Sequence, residues 1–259
     1  MPIGRLFLRT PKDGRAKLLL NGLLVAAVLV GFVALSVARV EGRYDFTDLW
    51  TYRTRLAMGF GMTLAFSVLS MAASLLIGFA SATGSRSRIL PVRYLCRTYV
   101  NVIRGTPLLM QIYLFFYIIG DAWGVEDRLV AGVLILSIFE GAYISEILRG
   151  GLDSIEGSQL EIARAVGFTP AQATRLIVLP QLLRRTLPAL AGQFASIIKD
   201  SSLLSVISIV ELTQTIKEVN AATFAFTTDY LFLGVLYFAL TFPVSLLSRA
   251  LEKRFAYEN

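Results

Sequence analysis

Histidine is absent from these 259 residues, and cysteine occurs once, at Cys96. A single thiol cannot close a disulfide within the chain, and without histidine the usual Cys/His zinc cluster has no ligand set. The same absence removes any Ser/His/Asp relay. No Gly-x-x-x-x-Gly-Lys-Ser/Thr loop occurs either, so the chain does not cradle nucleotide phosphates that way. Catalysis, a metal and a resident cofactor are therefore not expected, and Cys96 reads as a filler side chain. Charge is scarce as well. Only 17% of residues are charged while 55% are hydrophobic, against roughly 25% charged in soluble domains. Together with a mean hydropathy of +0.65, this indicates a polytopic membrane protein. The formal net charge of +7 would suit nucleic acid. The basic side chains, however, lie in connecting segments, where membrane proteins use them to set orientation, so no nucleic-acid partner is expected.

Apolar runs fall at about 18–38, 57–83, 100–120, 129–148, 190–210 and 230–247. Each is near the ~20 residues that cross a hydrocarbon core. Ser36-Val37-Ala38 resembles a signal cleavage site, but a signal h-region is only about 7–15 residues long, so 18–38 is expected to be a retained helix. In 57–83, Ser70, Ser74, Gly78 and Ala82 form a small-residue stripe suited to close packing within the subunit. Gly105-Thr106-Pro107 predicts a broken or bent start to the third span, and Pro243 predicts a bend in the last. Arg86, Arg88, Arg93 and Arg97 mark one basic loop, while Arg149, Arg164, Arg175, Arg184 and Arg185 mark a second, at 149–189. Arg249, Lys253 and Arg254 mark the tail. The 121–128 and 211–229 connectors are acidic or balanced, and 39–56 is mixed, with Arg39, Arg43, Arg53 and Arg55 beside Glu41, Asp45 and Asp48. Both termini are thus expected in the cytoplasm, with Arg5, Arg9, Lys12, Arg15 and Lys17 leading in. Residues 1–56 would hold the basic N-terminus, the first helix and an external connector, and 57–259 the core.

The polar stretch 158–180 reads as two short capped helices. Ser158 with Glu161 makes a capping box, Gly167 suits a left-handed stop, and Thr169-Pro170 with Gln172 restarts the helix with a second box. Leu179-Pro180 is expected to end it. A membrane-surface amphipathic helix is the competing reading, but the apolar face is short and lacks aromatic anchors. Ionisable side chains inside spans are costly and mark function by default. Glu140 lies deepest, either as a site for a substrate's ammonium or as an interhelical pair with Arg104 or Lys199. Glu146, Lys199 and Asp200 are read as structural or gating residues, and Asn101, Arg104, Gln111 and Tyr143 as further candidates along a substrate pathway.

Glu161-Ile162-Ala163, Gly167 and Ile177-Val178-Leu179-Pro180 resemble the EAA motif of permease subunits of bacterial ABC importers, with Ile162 where that family usually has alanine. Ile103-Arg104-Gly105-Thr106-Pro107-Leu108-Leu109, Gly141 to Gly151, Gln193-Phe194 and Lys199 to Leu203 narrow the resemblance to the polar amino-acid (histidine/glutamine-type) permeases, from about Ala57 onward. The resemblance implies an all-α integral membrane protein with a five-helix type I importer core and 18–38 as an added first helix. It also implies a cytoplasmic coupling helix seated on an ATP-binding subunit through Glu161, Ala163 and Gly167, with Ser158, Thr169 and Pro180 shaping the loop. The implied partners are two ATPase subunits carrying ATP and Mg, a second permease subunit, an extracytoplasmic binding protein, membrane lipid and the amino-acid substrate, moved inward across the inner membrane by alternating access. A self-sufficient ion-coupled carrier using Glu140 as its ion site, or a non-transporting scaffold, are the alternatives.

Overall fold

The computed structural model describes residues 15–39 and 46–256. Arg5, Arg9, Lys12, Glu41, Arg43 and Asp45 lie outside the described residues, so the basic lead-in and part of the first connector are left aside. Among the described residues the chain is helical without a strand, as expected where lipid offers the backbone no hydrogen bonds. In order come α1 (Arg15–Ala38), α2 (Thr47–Thr51), α3 (Arg53–Gly84), α4 (Leu90–Arg104) and α5 (Leu108–Tyr113), the last prolonged by wider turns at Leu114–Gly120. Then follow α6 (Arg128–Asp153), α7 (Gly157–Ala165), α8 (Pro170–Ala173), α9 (Leu179–Asp200), tight turns at Ser201–Ile207, α10 (Leu212–Thr223) and α11 (Phe226–Ala256).

The small-residue stripe explains the central contact. Ser70, Ser74, Gly78 and Ala82 are all buried, and α3 lies parallel to α6 with Gly78 against Ile144 and Phe66 near Gly132. A side chain at Gly78 would collide with Ile144, since an added Cβ would sit 2.6 Å from its Cγ2. The stripe therefore packs within the subunit, as its spacing suggested. Because α3 and α6 are parallel and α7 follows α6, the N-terminus of α3 lies at the end remote from α7. The start of α11 lies there too, because α9 and α11 run antiparallel, with Ser248 bonded to the Pro188 carbonyl and Leu233 packed near Ile198.

Gly105-Thr106-Pro107 breaks the third span far more sharply than a bend. The axes of Leu90–Arg104 and Leu108–Gly120 diverge by 112°. Buried Gln111 closes this corner, its Nε2 donating to the Ile103 carbonyl at 2.7 Å and to Thr106 Oγ1 at 2.7 Å. Around the corner Phe66, Ile112, Leu136, Leu204 and Ile207 form one apolar core, and Leu56, Ile198, Leu212 and Leu240 form another between α3, α9, α10 and α11.

The spans differ from expectation in their number and at 190–210. Among the described residues four helices, α1, α3, α6 and α11, are long and apolar enough to cross a membrane, and the bent pair brings the total to five. The expected fifth apolar run at 190–210 is instead the end of α9 followed by tight turns. The helix carries Arg184, Arg185, Lys199 and Asp200, which keeps it outside the apolar set. Pro243 lies inside α11, which runs unbroken from Phe226 to Ala256. The chain turns back after the tight turns at Ser208, a non-glycine residue with φ +58°, and Glu211 then caps α10 by accepting from the Thr213 and Gln214 amides.

Candidate functional site

The loop between α6 and α9 is built on backbone hydrogen bonds that its sequence dictates. Gly167 has φ +86°, a region open to glycine at little cost. The Phe168 amide bonds the Ala163 carbonyl at 2.9 Å and the Gly167 amide bonds that of Arg164 at 3.0 Å. That is a Schellman stop, which satisfies carbonyls left open at the end of α7. One residue on, Thr169 N donates to Gln172 Oε1 at 2.8 Å and Gln172 N to Thr169 Oγ1 at 3.3 Å. The second capping box is therefore formed, with Pro170 in the first turn of α8.

Two expectations are corrected. Ser158 and Glu161 make no capping box, because α7 starts at Gly157 and Glu156 takes the cap position. Ser158 sits inside the first turn, its hydroxyl on Glu156 Oε2 at 3.2 Å. Pro180 does not end the helix. The preceding turn widens over Thr174–Val178, where the Leu179 amide reaches five residues back to the Thr174 carbonyl. This extra residue in the turn makes room for a ring that has no N–H to give, and α9 runs on.

Ala163 and Ala173 are buried between the short helices, whereas Glu161, Ile162, Val166 and Leu176 are exposed. The unusual isoleucine thus points away from the chain. Gln181 Nε2 ties α9 to Gln159 on α7 at 2.7 Å, and Arg185 holds the Ser154 carbonyl and hydroxyl. The loop is thereby fixed to α9 at its start and at its first short helix.

The expected pathway residues separate into three groups. Glu140 is fully buried, and Gln193 of α9 donates to its Oε2. Its Oε1 has no partner. Neither Arg104 nor Lys199 pairs with Glu140. Lys199 is exposed, and Arg104 turns elsewhere. Gln111 belongs to the helix corner. At that corner Arg104 Nη1 meets Glu146 Oε2 at 3.0 Å, and its guanidinium lies 5.3 Å from the Tyr143 ring centre. Both charged side chains stay partly open to the surface, with Asn101 exposed nearby. Glu146 also holds Arg149, which bridges to Asp153, and Asp153 in turn holds Arg86 of the loop before α4. The Gln193 tie and this Arg86–Asp153–Arg149–Glu146–Arg104 chain were not foreseen. The i, i+3 and i, i+4 spacing of 146, 149 and 153 could have revealed the part on α6.

Among the described residues no group of His, Cys, Asp and Glu could hold a metal ion. What the fold and loop define is a membrane-embedded helical protein with a capped pair of short helices at one end. The chain belongs to the family of binding-protein-dependent transport system inner membrane components, whose pattern it matches over residues 74–257. It is 35% identical over 196 residues to the probable glutamine ABC transporter permease protein GlnM of Bacillus subtilis (strain 168), covering 76% of this chain and 91% of that one. Identity to the glutamine transport system permease protein GlnP of Escherichia coli (strain K12) is 33% over 214 residues, covering 82% and 98%. A crystal structure of an amino acid ABC transporter superposes with a TM-score of 0.75 at 33% identity, over 82% of this chain and 99% of that one. The MetNI methionine ABC transporter shares the fold, with a TM-score of 0.62 at 20% identity over 78% and 98%.

Proposed function

We propose that the chain is the membrane-spanning subunit of an ATP-driven importer carrying polar amino acids across a bacterial inner membrane. The observation that carries this reading is the α7–α8 unit. It is capped at its turn, buries only Ala163 and Ala173, follows α6 directly in the chain and is tied to α9 by Gln159–Gln181, while Arg185 of α9 holds Ser154 at the end of α6. Such an element passes a rigid-body movement of a partner into two helices at once. The partner in this reading is an ATPase that carries ATP and Mg, two copies of which sit beneath two permease subunits. An extracytoplasmic binding protein delivers substrate. Both termini face the cytoplasm, residues 1–56 add a helix, and 57–259 form the transporting core.

The Arg104–Glu146 pair supports an amino-acid substrate. A free amino acid brings a carboxylate and an ammonium, and this pair offers a guanidinium and a carboxylate at an open helix corner beside an aromatic ring. An exposed pair of this kind is worth only about 0–1 kcal/mol, so it opens at low cost. Glu140, sealed between α6 and α9, joins helices in this reading rather than binding substrate.

The test is uptake of labelled glutamine, the substrate in the relatives' names, by vesicles holding this chain, the ATPase encoded beside it and the binding protein. Uptake should require ATP and fall at least tenfold in Glu146→Gln. Uptake without ATPase would restore the ion-coupled carrier.

A further inference from the structure

A cavity of about 530 Å³ opens at the end of the molecule remote from α7, between α2, the start of α3 and α11. Its walls are Leu49, Leu56, Phe60, Phe232 and Leu236, and among the described residues its one charged lining residue is Arg53. The volume is that of a ligand site, yet the walls offer a ligand nothing polar to bind except at the mouth. There the Arg53 guanidinium lies 5.0 Å from the Trp50 ring centre, and its Nη1 donates to the Trp50 carbonyl at 3.0 Å. Trp50 is 72% exposed. Tyr52 and Tyr230 lie at the same level, packed at the edge of the adjoining core. Tryptophan and tyrosine concentrate at the headgroup level of membrane proteins, so the cavity lies where acyl chains meet headgroups.

Neither Arg53 nor the exposed Arg55 forms an ion pair among the described residues, although Asp48 stands on α2 close by in sequence. A guanidinium with free donors matches a phosphate in geometry as well as charge, and the apolar walls below match a hydrocarbon chain. We infer that this cavity binds an anionic phospholipid, its phosphate on Arg53 and one acyl chain between α3 and α11. A zwitterionic lipid carries its own cation beside the phosphate and gains less. The placement in the extracytoplasmic leaflet rests on the orientation proposed above. Binding itself does not, and its test reads neither transport nor ATPase.

Trp50 and Trp123 are the two tryptophans of the chain, so Trp123→Phe leaves a single fluorophore at the mouth of the cavity. The full-length variant would be reconstituted in phosphatidylcholine vesicles. About a tenth of the lipid would be replaced by phosphatidylglycerol or phosphatidylcholine brominated on the acyl chain. Quenching of Trp50 should show a roughly fivefold preference for the phosphatidylglycerol, the ratio expected of one basic side chain at an anionic surface. Arg53→Lys should keep the preference and Arg53→Gln should abolish it. Equal quenching by both lipids would overturn the inference, as would a preference that survives Arg53→Gln. Absence of quenching by either lipid would also overturn it, because the cavity would then be covered by protein, either α1 or a second copy of the chain.

Discussion

Substituting Gly78 by alanine tests whether the α3–α6 contact is as tight as the small-residue stripe requires. The new Cβ would lie 2.6 Å from Ile144 Cγ2, 2.9 Å from Ile144 Cβ and 3.0 Å from the Gly141 carbonyl oxygen. Carbon atoms pack at about 3.5–4.0 Å, so the helices must separate by roughly 1 Å or Ile144 must shift. Ile144 is fully buried, so it moves only by displacing its neighbours. Overpacking of this sort costs about 1–3 kcal/mol. Alanine also favours helix over glycine by about 1 kcal/mol, which masks part of the loss. Gly61 provides the control: it lies in the same helix with nothing within 4 Å of an added Cβ, so Gly61→Ala gains the propensity and meets no clash. Comparing the two variants cancels the propensity and leaves the clash. In thermal unfolding of the full-length protein in detergent, Gly78→Ala should melt about 2–12 °C below Gly61→Ala, at the usual 2–4 °C per kcal/mol for this size. Equal melting temperatures would refute the packing read from the stripe.

Thr169→Ala removes a hydroxyl that caps α8 and should cost about 1 kcal/mol locally, seen as faster hydrogen exchange over 169–174 with little change in the spans. Gln193→Leu leaves the buried Glu140 carboxyl without its donor from α9 and should destabilise the fold by about 1–3 kcal/mol, measured by unfolding in detergent. Burial pushes the Glu211 carboxyl above its ordinary value of 4.5 despite the amides and Tyr237 that bond it. The folded protein therefore holds that proton more tightly than the unfolded chain. The resulting stability is complete below pH 4.5 and is lost as pH rises through the folded-state value. Glu211→Gln, which cannot ionise, should flatten that decline in a melting-temperature profile.

Local chemistry made the 158–180 loop legible. Gly167, Thr169, Pro170 and Gln172 act on their own backbone within a few residues, and the structure forms the stop and the second box they spell out. The first box failed because Ser158 and Glu161 fit a cap that the chain places two residues earlier, and a helix start shifts by that much for the sake of its packing. Pro180 misled for a different reason. Its missing N–H can be absorbed by one widened turn as well as by a helix end, and only the packing of α9 against α6 and α11 decides between them. The same limit applies to 190–210, where an apolar run reads alike as helix or as tight turns buried in a core. Leu204, Ile207 and Ile209 are all buried against α3, α5 and α6, contacts made by residues far away in sequence. Glu140 was legible as a residue needing a partner. Which side chain supplies it depends on the register of α9 against α6, fixed by shape across the interface.

The most direct measurement is co-purification of the full chain with the ATPase encoded beside it, comparing the unaltered protein with Gly167→Val. The substitution forces a β-branched residue to φ +86°, where such residues are strained, and an added Cβ meets nothing within 4 Å inside the chain. The damage is therefore confined to the α7 turn and the surface it presents. The coupling role predicts that the unaltered chain retains the ATPase and that Gly167→Val loses it while still inserting and melting normally. An ATPase held equally by both, or by neither, would contradict it.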